Sequence, residues 1–172
     1  MNERLTSGFY TRDVLEVAPA LLGKRLVRVM PDGETVSSII TETEAYRGTD
    51  DLACHASKGM TPRTRVMFEQ GGVLYMYLVY GMHWMLNVVT SVQDNPQAVL
   101  IRGLESVNGP GRVTRTLALD RSFNEENLLQ SSRIWIEETG TSPGYTTHPR
   151  IGIDYAGEYW KNRPWRFFAS GG

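Results

Sequence analysis

The order of apolar and polar positions divides the chain into short helix-like and strand-like stretches. Residues 13–22, DVLEVAPALL, put Val14, Val17, Ala18, Leu21 and Leu22 on one helical face. Thr11 or Asp13 is placed to cap that helix and Gly23 to end it, while Pro19 predicts a kink or a short helix. KRLVRVM alternates polar and apolar residues, PDGE supplies turn chemistry, and VSSIITETEAY returns as a second strand. While that strand lasts, Glu42, Glu44 and Tyr46 share one face. Residues 50–57 predict one or two helical turns capped by Asp50, and TPRTRVMFE predicts a short helix with Pro62 at its first position.

Two near-continuous β-branched and aromatic runs follow, VLYMYLVY and HWMLNVVTSV. Gly81-Met82 between them predicts a protruding hairpin with Tyr80 near its tip. AVLIRGLES adds a strand beside it, GPGRVTRTLAL a helix entered through Gly109-Pro110-Gly111, and SRIWIEE another strand. GTSPGYTTHPR is polar and reads as a loop, before RIGID and the aromatic tail YWKNRPWRFFAS. The sum is a mixed α/β (α+β) fold with a curved, largely antiparallel sheet and short helices. A single domain is expected over residues 1–172, with its core at about 9–168.

Composition narrows the class. A chain with 41% hydrophobic and 22% charged residues is that of a globular protein, and no apolar run is long enough for a transmembrane helix. The polar start MNERLTSGFY does not read as a secretory signal. The single cysteine, Cys54, cannot form an internal disulfide and fits a reducing compartment, cytoplasmic and at the nucleoid if the source is bacterial. The absence of heptads favours a monomer. A formal net charge of −1 argues weakly against a nucleic-acid partner. Its distribution says more: residues 58–121 hold seven basic and four acidic side chains, and most bases are arginine, the better partner for phosphate and stacking.

Several chemistries lack their residues. Cys54, His55, His83 and His148 show no metal-ligand spacing, so neither metal nor other cofactor is expected. No P-loop and no GxSxG elbow occur, and Cys54 reads as a small buried thiol. Glu44, at the end of an apolar strand, reads either as a general base toward water or as half of a salt bridge, and position alone favours the salt bridge. Tyr75 and Tyr77 share a strand face, with Trp84 across the hairpin, and aromatics interleaved with arginines suit base stacking and phosphate contact. Tyr75 also fits a core strand. Tyr80, beside a glycine turn, is expected to be exposed.

ETEAYRG at 42–48, ACHAS at 53–57, TPRTRVMF at 61–68, LYMYLVYGMHWMLNV at 74–88 and VLIRGLE at 99–105 resemble the alkyladenine (3-methyladenine, or methylpurine) DNA glycosylases. NGPGRVTRTLALD at 108–120 and RIGIDYAGEYWKNRPWRF at 150–167 are similar to the later blocks of that family. The resemblance implies a monofunctional base-excision-repair enzyme that flips an alkylated purine out of double-stranded DNA and hydrolyses its N-glycosidic bond. 3-Methyladenine is the implied substrate, with hypoxanthine and ethenoadenine as neutral candidates. By the resemblance, Glu44 activates the attacking water and Arg102 positions that water and a backbone phosphate. Tyr46, His55 and Tyr77 hold the flipped base, Asn87 at the pocket floor disfavours normal guanine, and Tyr80 intercalates. Trp84 is expected behind Tyr80 at the pocket. Ring alkylation makes the base cationic and a better leaving group, and tyrosine π faces favour a cation. The lysines, Lys24, Lys58 and Lys161, fall outside the matching pocket positions, so no Schiff-base lyase activity is expected.

The chain departs from the family pattern after its arginine strand, where only Ser106 and Val107 separate Glu105 from Asn108. Two other readings compete: a nucleic-acid-binding module without turnover, and a hydrolase of free nucleosides. Tyr80 argues against the second, since an intercalating tip has no purpose without a duplex.

Overall fold

The computed structural model describes residues 3–170. Along the chain run α1 (Ser7–Tyr10), α2 (Val14–Ala20), β1 (Arg25–Val29), β2 (Thr35–Arg47), β3 (Leu74–Val79), β4 (His83–Thr90) and β5 (Gln97–Leu104). They are followed by β6 (Val107–Asn108), α3 (Pro110–Thr116), β7 (Ile134–Glu137), β8 (Tyr145–His148), α4 (Gly157–Lys161) and β9 (Arg166–Ala169). The main sheet path is β3-β4-β5-β2-β1-β7, and each strand pair along it is antiparallel.

β2 is the spine. Its first half pairs with β1, from Thr35 opposite Val29 to Ile39 opposite Arg25. Its second half pairs with β5 on one side and, over Glu42 to Glu44, with β9 on the other. Asp13 caps α2 by accepting from Leu15 N at 2.8 Å, and Val14, Val17 and Ala18 are buried. Pro19 sits inside the last turn, so the proline shortens the helix to seven residues. Gly23 follows with φ +86°, and a Cβ there would lie 2.6 Å from the Pro143 ring, so glycine alone fits.

The sheet is covered on both faces, which is why its inner strands read as continuous apolar runs. On one face Ala45, Leu74, Met76, Leu86, Val88, Val99 and Ile101 join residues of α2 and α3 in the main core. On the other, Tyr75, Val89 and Ala98 pack with Cys54, Ala56, Val66 and Met67 from the segment that follows β2. In LYMYLV the aliphatic residues Leu74 and Met76 go to the first face and Tyr75 and Tyr77 to the second, as strand alternation requires.

Several local expectations change. The turns placed at 50–57 reduce to a 3-10 helix at His55–Lys58, with Cys54 and not Asp50 before it. Asp51 instead spends its carboxylate on a buried arginine. Pro62 does not open the next helix, a 3-10 turn at Thr64–Phe68; hydrogen bonds between Thr61 and Thr64 fold the chain there. The polar stretch at 141–150 contains β8, which forms by pairing with β9, a partner that local composition does not reveal. Trp84 pairs with Leu78 and packs against the main core, on the face away from Tyr75 and Tyr77.

Candidate active site

A cavity of about 420 Å³ opens on the second face of the sheet. Its floor follows from strand register. Glu44 on β2 stands opposite Leu100 on β5, Leu100 opposite Asn87 on β4, and Asn87 opposite Tyr75 on β3. Residues directly paired share a face, so these four form one row across four strands. Tyr46, Ala98, Tyr77, Met85 and Arg102 flank the row; His55 enters from the 3-10 turn, and Ile151, Ile153 and Tyr155 close the far side. All seven residues singled out in the sequence, Glu44, Tyr46, His55, Tyr77, Tyr80, Asn87 and Arg102, line this one cavity. Trp84 does not; it lines a separate groove with Leu78, Arg63 and Arg121, because its strand parity is that of Leu86 rather than of Met85.

Glu44 has no exposed surface, yet it reaches the cavity. Tyr46 Oη donates to its Oε1 at 2.7 Å and the Ile151 amide donates to its Oε2 at 2.8 Å. Arg102 Nη1 stands 3.7 Å from Oε2, beyond hydrogen-bond length. Burial pushes the Glu44 carboxyl above the ordinary carboxylate range, against the opposing pull of Arg102, the Ile151 amide, Tyr46 and Arg150. Burial, and then the charge of Glu44, holds the Tyr46 hydroxyl well above its usual value, so Tyr46 stays a donor.

The aromatic wall is equally defined. His55 packs edge-on against Tyr77, ring centres 4.4 Å apart, and its Nδ1 lies 2.9 Å from Tyr75 Oη. Burial, helped by Arg63 and Lys58, lowers the His55 imidazole to about 4, so the ring is neutral at physiological pH. The Asn87 amide donates to Tyr75 O at 3.2 Å and Met85 O at 3.4 Å, which pins it to the strands beneath. Tyr80 stands at the rim, 90% exposed, at the hairpin tip with φ +54°. Gly81 follows at φ +67° and Met82 N donates to Val79 O at 3.1 Å, so the left-handed backbone at Tyr80 is the one that a tight hairpin turn requires.

The sequence did not reveal what holds the far wall. Asp51 and Arg150, both fully buried, pair through Oδ2–Nη1 at 2.6 Å and Oδ1–Nη2 at 3.0 Å. Arg150 also donates to Ala45 O and Trp160 O, and lies 5.0 Å from the ring centres of both Tyr46 and Trp165. That anchor delivers the next residue, Ile151, to Glu44. A main-chain donor leaves no mark on a sequence. Cys54 is a buried thiol pushed up to about 12, mainly by burial, and thus inert. No lysine lines the cavity, and no cluster of three metal-ligating side chains occurs, among the described residues. No helix there is long and apolar enough to cross a membrane.

The model of the family described as methylpurine-DNA glycosylase matches residues 8–108 and 105–172. The chain belongs to the methylpurine-DNA glycosylase family. A protein of Methanocella arvoryzae with 3-methyladenine DNA glycosylase in its name is 43% identical, over 95% of this chain and 91% of its own length. A protein of Desulfitobacterium hafniense with the same words in its name is 43% identical, over 96% of this chain and 95% of its own. A Legionella pneumophila relative, again so named, is 42% identical over 96% and 93%. The family match breaks at 105–108, where β5 turns directly into β6. The first two alignments, of 184 and 194 positions, are longer than this chain of 172 residues. Both facts agree with a segment present in relatives and missing at that turn. Membership makes the protein a DNA glycosylase of DNA repair, acting on DNA.

Proposed function

We propose that the protein is a monofunctional glycosylase that receives an alkylated purine, 3-methyladenine first among them, flipped from duplex DNA into the cavity, and hydrolyses its bond to the sugar. The observation that carries this reading is Glu44: a carboxyl group without exposed surface, held by two donors, at the floor of an aromatic cavity. Its oxygens are held rather than mobile, and the Tyr46 and Ile151 bonds leave about two of its four acceptor sites free for water. The ionised carboxylate takes a proton from that water as it attacks C1′ of the sugar. Arg102, close by but not bonded to Glu44, orients the water. The departing base is already cationic when alkylated on the ring, so it leaves without an acid. Tyr46, Tyr77 and a neutral His55 provide faces that accept a cation, which a protonated histidine would repel. Asn87 rejects normal guanine at its amino group.

Tyr80 fills the space that the flipped nucleotide vacates. Its exposure supports this over cleavage of free nucleosides, for which an exposed aromatic at the rim has no use. With no lysine lining the cavity among the described residues, the product is an intact abasic site rather than a cleaved strand. Hypoxanthine and ethenoadenine, as neutral bases, are slower substrates because they lose the cationic leaving group.

Replacing Glu44 tests the reading. Glu44→Gln keeps the shape and is expected to lower single-turnover release of 3-methyladenine by about a thousandfold or more while binding to damaged duplex stays within a few-fold. Release at the wild-type rate removes Glu44 from the mechanism.

A further inference from the structure

A second acid stands beside Glu44 without a place in the scheme above. Glu42 precedes it by two residues on the same face of β2 and is also buried. Its Oε2 accepts from Arg166 Nη1 at 3.0 Å and lies 3.7 Å from Arg102 Nε. Arg102 Nη1 lies 3.7 Å from Glu44 Oε2. Arg102 therefore stands between two carboxylates and bonds to neither, and its buried Nε has no hydrogen-bond partner among the described residues. Four charges alternate in a line: Glu44, Arg102, Glu42, Arg166.

The backbone builds this line. Pairing of β2 with β5 slips at this point, with Glu42 opposite Gly103 and Thr43 opposite Ile101, so Arg102 is the unpaired residue between them. An irregularity of this kind re-aims a side chain. Arg166 is tied down from its other side, where Nε donates to Pro149 O at 2.9 Å. An arginine beside one buried carboxylate closes into a two-point pair of about 2.8 Å. Such a pair at Glu44 would fill the space that water needs and weaken the carboxylate as a base.

We propose that Glu42 is a positioning residue: its carboxylate, anchored by Arg166, holds Arg102 off Glu44 and keeps an oxygen of the base open to water. The proposal rests on Glu44 being that base. The other charged or titratable groups facing Glu44 are Arg150 and Tyr155 from the far wall, Tyr77 from β3 and Tyr46 on its own strand. Among the described residues, Arg102 is the one group that lies within ion-pair distance of both acids.

The test is single-turnover release of 3-methyladenine from methylated duplex across pH 4.5–9, with Glu42→Gln, Arg166→Gln and Glu44→Gln beside the wild type. In Glu42→Gln, Arg102 closes on Glu44. The plateau rate falls about tenfold to a hundredfold, and the acid limb of the profile moves down by roughly one pH unit. In Arg166→Gln, the freed Glu42 draws Arg102 away, and the acid limb moves up. Opposite shifts show that both charges act on Glu44, which general loosening of the fold does not give, and the fall in plateau rate of Glu42→Gln, too large for the loss of a like charge alone, shows that Arg102 has closed on the base. Acid limbs that stay at the wild-type position in both variants overturn the role of Glu42. Arg166 is partly exposed, so its variant decides alone should Glu42→Gln fail to fold. Glu44→Gln separates the two readings: full release by that variant removes the base and this inference with it, whereas a dead variant with unmoved limbs removes only Glu42.

Discussion

Glu44 works against the fold, and the catalytic role proposed for it rests on the same burial. Burial raises its carboxyl above the ordinary range, so the folded chain favours the protonated form more than the unfolded chain does. Its contribution to stability is greatest below the usual carboxylate value and is lost as pH rises through the raised one. Glu44→Gln is therefore expected to raise the urea midpoint at pH 7, with the gain shrinking toward pH 4; a lower midpoint at pH 7 contradicts the assignment. His55 has the opposite dependence on pH. With its value lowered to about 4, the neutral ring's contribution is complete above the ordinary histidine value of about 6.5 and is lost as pH falls toward 4. Nitrogen-detected NMR of the ring should show it neutral at pH 5.5, and a charged ring at that pH would count against its place in a cation-accepting wall. At this scale strand alternation alone made Glu42, Glu44 and Tyr46 neighbours, and the aliphatic-tyrosine alternation of β3 was equally open to reading. The roles of Asn87 and Arg102 came from the family resemblance, and the Ile151 amide was hidden because a backbone donor has no residue code.

Two elements carry the site, and each was legible to a different degree. The β3–β4 hairpin was plain, since two β-rich runs about Gly81 have few alternatives. Its tip predicts a clean separation of stability from activity. Tyr80 is almost fully exposed, so Tyr80→Ala should change stability by no more than about 0.5 kcal/mol. It should weaken release from duplex more than from single strands, and an equal loss on both removes the wedge role. The wall at 149–161 was illegible, because its anchor joins Arg150 to an acid 99 positions away. The same pairing explains why the helical turns expected from Asp50 do not begin until His55. Asp51 accepts from Arg47 N, Ala53 N and both terminal nitrogens of Arg150, and these bonds outcompete a helical cap. Asp51→Ala strands a buried guanidinium and is expected to cost about 3–5 kcal/mol by urea titration. A loss below about 1 kcal/mol would show that the pair is not what holds the wall.

At the scale of the whole molecule, two coverings of one sheet divide the labour. The α2–α3 face supplies the main core, and the opposite face gives up part of its packing to leave a cavity. That division was implicit in strands apolar on both sides, although periodicity could not say which side stays open. Position alone left Glu44 as a salt-bridge acid, and in part it is one. Arg102 stands 3.7 Å from its Oε2, within ion-pair range but beyond hydrogen-bond length. The central claim is hydrolysis, and one assay reaches it directly: incubation of the wild-type protein with methylated duplex DNA, with free base, abasic sites and borohydride-trapped protein counted together. The expected result is free 3-methyladenine matched by one abasic site per base, with no strand cleavage and no trapped adduct. Tight binding without release of any modified purine, or a covalent adduct on the protein, would contradict it.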